Sequence, residues 1–444
     1  EKTAEQYYEE GNYEEALTAY REAGDTENVE RVLQAMYDLA GNYKDGKNGV
    51  EKNEEEAIRY FKLVAEDESA GDDKVRDASF WLGWIMADNE DEKDDTESVS
   101  WYEKAIEKGS VEAITNLGGM YKNGKGVTQD GEKAIELYKQ AADAGEDYAM
   151  NNLGRIYEYG ECGQKINLEE ALKWYKLAAE KNHDGAQESV ERVLQAMYDL
   201  AWNYKDGKNG VEKNEEEAIR YFKLVAEDES VGDDKVRDAS FYLGYIMSKN
   251  EAEEDDTEAA TWFEKAKEKG SVNAITYLGW MYGTGTGVMQ DYEKAVEFYR
   301  QAAEAGEANA MNNLGIIYEY EKYGQKKNLQ EALKWYKLAA EKDYDGAQES
   351  VVRVEQALQK KTETERSTEK TAEQYYEEGN YEEALTAYRE AGDTENVERI
   401  LQAIFDLAEN YKDGKNGVEK NEEEAIRYYE LVAEDESSSE INVE

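Results

Sequence analysis

Residues 30–190 return almost letter for letter at 191–351, and this duplication limits the fold more than any other feature of the chain. The forty-residue stretch from Glu30 to Ser69 differs from its copy, which begins at Glu191, only where Gly41 becomes Trp202. The register holds without insertion or deletion through the copies, so that Gln164 corresponds to Gln325. Inside each copy a shorter theme recurs four times, at a period of roughly 40 residues. Units of that size cannot bury an apolar face alone and must stack on their neighbours. Length by itself would suggest about three domains, but a stacked array grows without a separate core for each. Any function then belongs to an extended surface rather than to a closed pocket.

Hydrophobic residues make up 40% of the chain, enough to fill the layers between helices, and charged residues 35%. Proline is absent from all 444 positions, so breaks between helices fall to Gly, Asn and Asp. A net charge of −51 excludes nucleic acid, which needs a basic footprint. It also disfavours anionic membrane surfaces and favours solubility, basic partners, loosely held cations or a high-salt habitat. The plainer reading is a solvated acidic helix surface. A single cysteine, Cys162, cannot close an intramolecular disulfide. There is no long apolar run and no basic–apolar leader, so a soluble chain with no membrane span is expected. Its first residue, Glu1, is not methionine, which leaves a processed leader, secretion and the compartment open. The near-verbatim copies fit recent duplication and an engineered, consensus-built chain equally well.

The repeat is clearest at Ala113–Gly145. Ala113, Leu117 and Tyr121 stand four apart and form one helical stripe. Gly124-Lys125-Gly126 ends that helix, and Asp130 can cap a second whose stripe is Ala134, Tyr138 and Ala142. The unit is an antiparallel helical hairpin, and the small alanines allow close approach. Leu117-Gly118 with Tyr121, Gly124 to Val127, Lys133-Ala134 with Tyr138, and Ala141-Ala142 with Gly145 together resemble the Sel-one-like repeat family, a branch of the tetratricopeptide-like solenoids. The same frame fits Leu278–Gly306 and, with looser loops, Leu39–Ala65, Leu82–Gly109, Leu153–Ala179 and their second copies. The resemblance implies an all-α, right-handed superhelical α-solenoid of about 23 helices. It also implies that the first helix of each hairpin lines a concave groove, and that such repeats serve as adaptors. The Leu82 and Leu243 hairpins depart from the pattern, because Asp88–Thr96 and Lys249–Thr257 read as acidic loops without the glycine pair.

Five segments are expected. Residues 1–29 read as a tetratricopeptide-like cap, turning at Gly11-Asn12; residues 30–190 and 191–351 are two four-repeat modules. Residues 352–368 read as a capping helix and polar linker. Residues 369–444 are a second cap hairpin plus one repeat, since 369–399 copy 1–31 without a change.

No catalysis, cofactor or metal is expected. The one histidine, His183, reads as a surface turn residue, and Cys162 has no second ligand at zinc spacing. Gly283 to Gly287 aligns with the ordinary repeat turn at 122–126 and lacks the Gly-Lys-Ser/Thr of a phosphate loop. The acidic stretches Asp88–Asp95 and Glu251–Asp256 lack the alternating spacing that wraps calcium. Nothing singles out a catalytic pair among 104 acids.

The more informative signal lies where equivalent repeats differ. The residue after the Leu-Gly or Leu-Ala pair is Gly41, Trp84, Gly119 and Arg155 in the first module, then Trp202, Tyr245, Trp280 and Ile316. Three residues earlier, on the same helical face, stand Asp38, Trp81, Asn116 and Asn152, then Asp199, Tyr242, Tyr277 and Asn313. The flanking Leu and Tyr hardly vary, so this face is distinct from the packing stripe. Aromatics at changing positions suit a protein or peptide partner, with Trp81, Trp84, Arg155, Trp202, Tyr242, Tyr245, Tyr277 and Trp280 as candidate contacts. Asp38 and Asp199 could hold basic side chains at the rim. The alternative is that these rings pack on the next repeat and set curvature. A second alternative is structural, with copies stacking head to tail into a filament through the last hairpin at Leu407, Tyr411, Ile426, Tyr429 and Ala433.

Overall fold

The computed structural model describes residues 2–88, 92–249, 253–368 and 371–433. Among them are twenty-three α-helices, one short 3₁₀ turn (Glu229–Val231) and no strand. The chain is an all-α, multi-helix solenoid of hairpins, divided into two compact units, Glu1–Asp291 and Tyr292–Glu444.

The first unit opens with the hairpin α1 (Ala4–Glu9) and α2 (Tyr13–Glu22). The first module follows as α3 (Thr26–Asp45) with α4 (Glu54–Ala65), α5 (Asp72–Asp88) with α6 (Glu92–Glu107), α7 (Val111–Asn123) with α8 (Gly131–Asp143), and α9 (Asp147–Tyr159) with α10 (Leu168–Glu180). Then come α11 (Ala186–Asp206) with α12 (Glu215–Glu227), α13 (Asp233–Met247) with α14 (Glu253–Glu268), and α15 (Val272–Thr284). The second unit holds α16 (Tyr292–Glu304), α17 (Ala308–Glu319) with α18 (Leu329–Glu341), and α19 (Ala347–Thr368). It ends with α20 (Ala372–Glu377) with α21 (Tyr381–Glu390), and α22 (Thr394–Asp413) with α23 (Glu422–Ala433). Within each unit the helices stack in chain order: α9 packs on α10 and α8, and α17 on α18 and α16.

Local chemistry explains the boundaries. Asp130 accepts a hydrogen bond from the Lys133 backbone N–H at 2.9 Å, and Asn53, Asn167 and Asn214 cap their helices in the same way. Gly124 closes α7 at φ +69. Gly126 has a different reason for lacking a side chain: a Cβ there would overlap the backbone carbonyl of Asp95. The turn therefore docks on the preceding hairpin, and Lys125 Nζ adds an ion pair to Asp95 at 3.2 Å. The Gly283–Gly287 run does the same job, since a Cβ at Gly287 would overlap the carbonyl of Asp256. The stretches read as acidic loops are partly helical: α6 starts at Glu92 and α14 at Glu253. Carboxylates in a first turn are favoured by the positive end of the helix, so acidity there does not mark a loop. Residues 89–91 and 250–252 of those stretches lie outside the described residues.

The core is built around one recurring contact. At Gly83, Gly118, Gly154, Gly244 and Gly315 the glycine of a Leu-Gly pair lies under an aromatic ring of the second helix. A methyl group at Gly83 would sit 2.7 Å from the Tyr102 ring, one at Gly154 2.7 Å from Tyr175, and one at Gly315 2.5 Å from Tyr336. These rings are fully or almost fully buried. The glycine sets how closely the two helices approach, and each ring fills the space that results.

A second recurring device joins hairpins. Tyr175 donates its phenol to Glu158 Oε2 at 2.6 Å, while Arg192 from α11 donates to both Glu158 oxygens at 2.7 and 2.8 Å. The second unit repeats it with Tyr336, Glu319 and Arg353 of α19 at 2.8, 2.9 and 2.9 Å. The cap hairpins make the same triad, Tyr20–Glu5–Arg31 and Tyr388–Glu373–Arg399. A cap hairpin thus offers the next helix what a fourth repeat offers it. Burial alone would raise the carboxyls of Glu158 and Glu319, but the hydrogen bonds from arginine and tyrosine outweigh it and hold both below the ordinary value. A carboxyl lowered in the folded state stabilises above its unfolded value of about 4.3, and that contribution is lost as pH falls through the folded value. The melting temperature of the chain should therefore fall on acidification below about pH 4. The same titration of the Glu158→Gln, Glu319→Gln variant should show a shallower fall.

Candidate functional site

The variable face of the first helices is assembled in the first unit. On α11, α13 and α15 the rings form a continuous ribbon: Trp202 meets Tyr242 at 4.3 Å, Tyr242 meets Tyr245 at 6.5 Å, and Tyr245 meets Tyr277 at 5.7 Å between centroids. The residues divide by depth. Tyr277 stacks on Phe263 at 5.0 Å, and Trp202 and Tyr242 both contact Phe222, so these rings rest on the second-helix core. Trp280, at the outer edge, is 39% exposed. In the first module Trp81 and Trp84 meet edge to face at 5.9 Å, with Trp84 43% exposed, and Arg155 is exposed on α9.

Two glycines show that the face is open. A Cβ at Gly41 would meet nothing within 4 Å, and one at Gly119 would meet only the Tyr138 hydroxyl, at 3.5 Å. The second copy carries Trp202 and Trp280 at those positions. The first carbon of a side chain there meets no clash, unlike at the Leu-Gly glycines beside them. Lysines of the chain lie on this face. Lys205 Nζ is 4.6 Å from the Trp202 ring centre and 5.3 Å from that of Tyr242, Lys249 is 4.2 Å from Tyr245, and Lys44 is 4.0 Å from Trp81. Lys205 is in turn paired with Asp206 at 3.0 Å. Sequence reasoning missed these lysines, although their position three residues after Trp202 and four after Tyr245 carried the signal. Asp38 and Asp199 are exposed at the rim, each accepting from a glutamine at 2.9 Å. Trp280→Ala should change stability by less than about 1 kcal/mol, whereas Tyr277→Ala should cost roughly 2–3 kcal/mol, both measured by urea denaturation.

On the last hairpin, Leu407, Tyr411 and Tyr429 are half-buried, Tyr411 stacking on Tyr428 and Tyr429 contacting Phe405. Ile426 is 56% exposed and Ala433 is exposed, whereas the equivalent Ala65 is buried. His183 is not the surface residue its turn suggested. Its side chain is 7% exposed, with Nδ1 2.8 Å from Asp147 and the ring edge-on to Tyr148. In the second copy all three change together, to Tyr344, Ala308 and Asn309, and Tyr344 donates to Asn309 at 3.4 Å. Among the described residues no three metal-ligating side chains cluster, and no helix is long and apolar enough to cross a membrane.

Hairpins that share a buried aromatic core while one face varies define a helical-repeat solenoid, a class that generally acts as a scaffold for protein–protein interaction. The chain belongs to the Sel1 repeat family, whose model matches residues 33–68, 77–110, 111–146, 147–183, 194–229, 237–271, 272–307, 308–344 and 401–436. Among solved structures, it is similar to a protective antigen of uropathogenic Escherichia coli at 24% identity, covering 94% of this chain and 79% of that one with a TM-score of 0.32. A Sel1 repeat protein from Oxalobacter formigenes is 31% identical over 55% of this chain and 94% of its own, with a TM-score of 0.29. An immunity protein from Pseudomonas aeruginosa is 18% identical over 53% and 83%, with a TM-score of 0.25. No protein of curated function matches the chain.

Proposed function

We propose that the chain is an adaptor that binds a protein or peptide partner along the variable face of its first helices. Trp202, Tyr242, Tyr245, Tyr277 and Trp280 are the main contacts, and Trp81, Trp84 and Arg155 extend the face. The carrying observation is the free space around a first side-chain carbon at Gly41 and Gly119, the positions where the second copy carries Trp202 and Trp280. A ribbon of half-buried rings gives large contact area with few rotatable bonds to immobilise. Basic side chains of a partner would meet Asp38 and Asp199 at the rim and could replace Lys205 or Lys249 over the rings. The test is selection of a random-peptide library displayed on phage against the full chain, with selected peptides measured on Trp202→Ala, Tyr245→Ala, Trp280→Ala together. Unchanged affinity in that variant would defeat the reading.

A further inference from the structure

In the second copy Tyr277 sits inside a cage of rings. It stacks on Phe263 at 5.0 Å between centroids and meets Tyr245 and Phe241 edge to face, each at 5.7 Å. The first copy keeps three aromatic walls at the same positions, as Tyr102, Trp84 and Phe80, but has Asn116 in place of the central ring. Three residues on, the change runs in the same sense, with Gly119 standing for Trp280. At these positions the first copy has an open cleft of about 210 Å³ between α5, α6 and α7, lined by Trp84, Tyr102, Asn116 and Gly119. A cavity of roughly 150 Å³ accepts a benzene molecule, so the cleft has room for an aromatic ring.

The chemistry of the walls matches the missing ring. Trp84, 43% exposed, and Tyr102 supply aromatic surface. The Tyr102 hydroxyl, which Phe263 lacks, is paired with the Asn116 amide. That amide keeps further donor and acceptor capacity for a phenol hydroxyl. Charge does not choose the occupant, because Asp88 and Lys125 both line the cleft and Lys125 is already paired with Asp95 at 3.2 Å. Aromatic walls in a folded chain are normally packed against something. The second copy meets that need from within, with Tyr277, and the first copy does not.

We infer that this cleft takes a tyrosine side chain from a partner, in the place that Tyr277 fills in the second copy. The ring lies between Trp84 and Tyr102, and its hydroxyl meets the Asn116 amide. The inference rests on the reading of the variable face as a partner surface, and it adds the residue that the partner presents. The two modules then differ in kind: the second offers rings to a partner, and the first receives one.

The experiment is NMR of the full chain carrying isotope-labelled tryptophan, titrated with acetyl-tyrosine-amide and with acetyl-alanine-amide. The indole N–H signal of Trp84, identified by its loss in Trp84→Phe, should shift with the tyrosine compound and stay in place with the alanine one. Asn116→Tyr and Gly119→Trp, which install the residues that the second copy already folds with, should each weaken the response by about tenfold or more. Thermal melting of the same samples shows that both variants are folded. The Trp202→Ala, Tyr245→Ala, Trp280→Ala chain should respond as the parent does. A Trp84 signal unmoved by acetyl-tyrosine-amide, equal shifts with both compounds, or an undiminished response in Asn116→Tyr and Gly119→Trp would overturn the inference. That failure would leave the phage-selected peptides, and their loss on the ribbon variant, untouched, so the two readings fail separately.

Discussion

Gly154→Val should destabilise the chain by about 3 kcal/mol, while Gly41→Trp, a far larger addition, should stay within about 0.5 kcal/mol. The difference lies in what each new side chain meets. At Gly154 even the first carbon would sit 2.7 Å from the Tyr175 ring. That ring cannot retreat, because it is fully buried and its hydroxyl is tied to Glu158 at 2.6 Å. Relief must come from spreading α9 and α10, which loses contacts along both helices. Alanine would be milder, since it regains roughly 1 kcal/mol of helix propensity over glycine. At Gly41 nothing lies within 4 Å of the new carbon. Urea denaturation of the two variants against the parent decides the matter, and near-equal costs would mean that the variable face is core after all.

Glu319→Ala should cost roughly 2–3 kcal/mol and loosen α19 from α17 and α18. The substitution leaves the Tyr336 hydroxyl buried without its acceptor and strips Arg353 of both hydrogen bonds from its carboxylate. Removing the other partner is also costly. Arg353→Ala leaves the Glu319 carboxylate, 9% exposed on its side chain, without its cation and should cost about 2 kcal/mol. Both losses mark the carboxylate as the buried hub of the joint. Hydrogen exchange should show the loss of protection concentrated at the start of α19, around Ser350 to Val354. A cost below about 0.5 kcal/mol for either variant would count against this account.

Much of this architecture was legible in the residues. The period, the glycine turns and the Asp and Asn caps gave the hairpins, because each depends on neighbours three or four residues away. What was not legible depends on partners far apart in sequence. The His183 side chain is covered by Asp147 and Tyr148 at the other end of its hairpin, thirty-six and thirty-five residues earlier, so its turn alone suggested exposure. The Glu–Tyr–Arg joints bring together residues from three helices, and no local pattern announces them. The helical starts at Glu92 and Glu253 were obscured because first-turn carboxylates resemble a polar loop. The aromatic face was visible because the two copies could be compared position by position.

The most direct test of the central claim is to return the second copy to the first at its two open positions, Trp202→Gly and Trp280→Gly. A peptide selected on the parent chain is then measured on this variant by titration calorimetry, with thermal melting recorded on the same samples. Binding through the variable face predicts a loss of affinity of about tenfold or more, with melting lowered only modestly by the two helical glycines and the lost Trp202–Phe222 contact. Undiminished affinity, or a collapse of melting with affinity retained, would show that the tryptophans serve packing and would contradict the account.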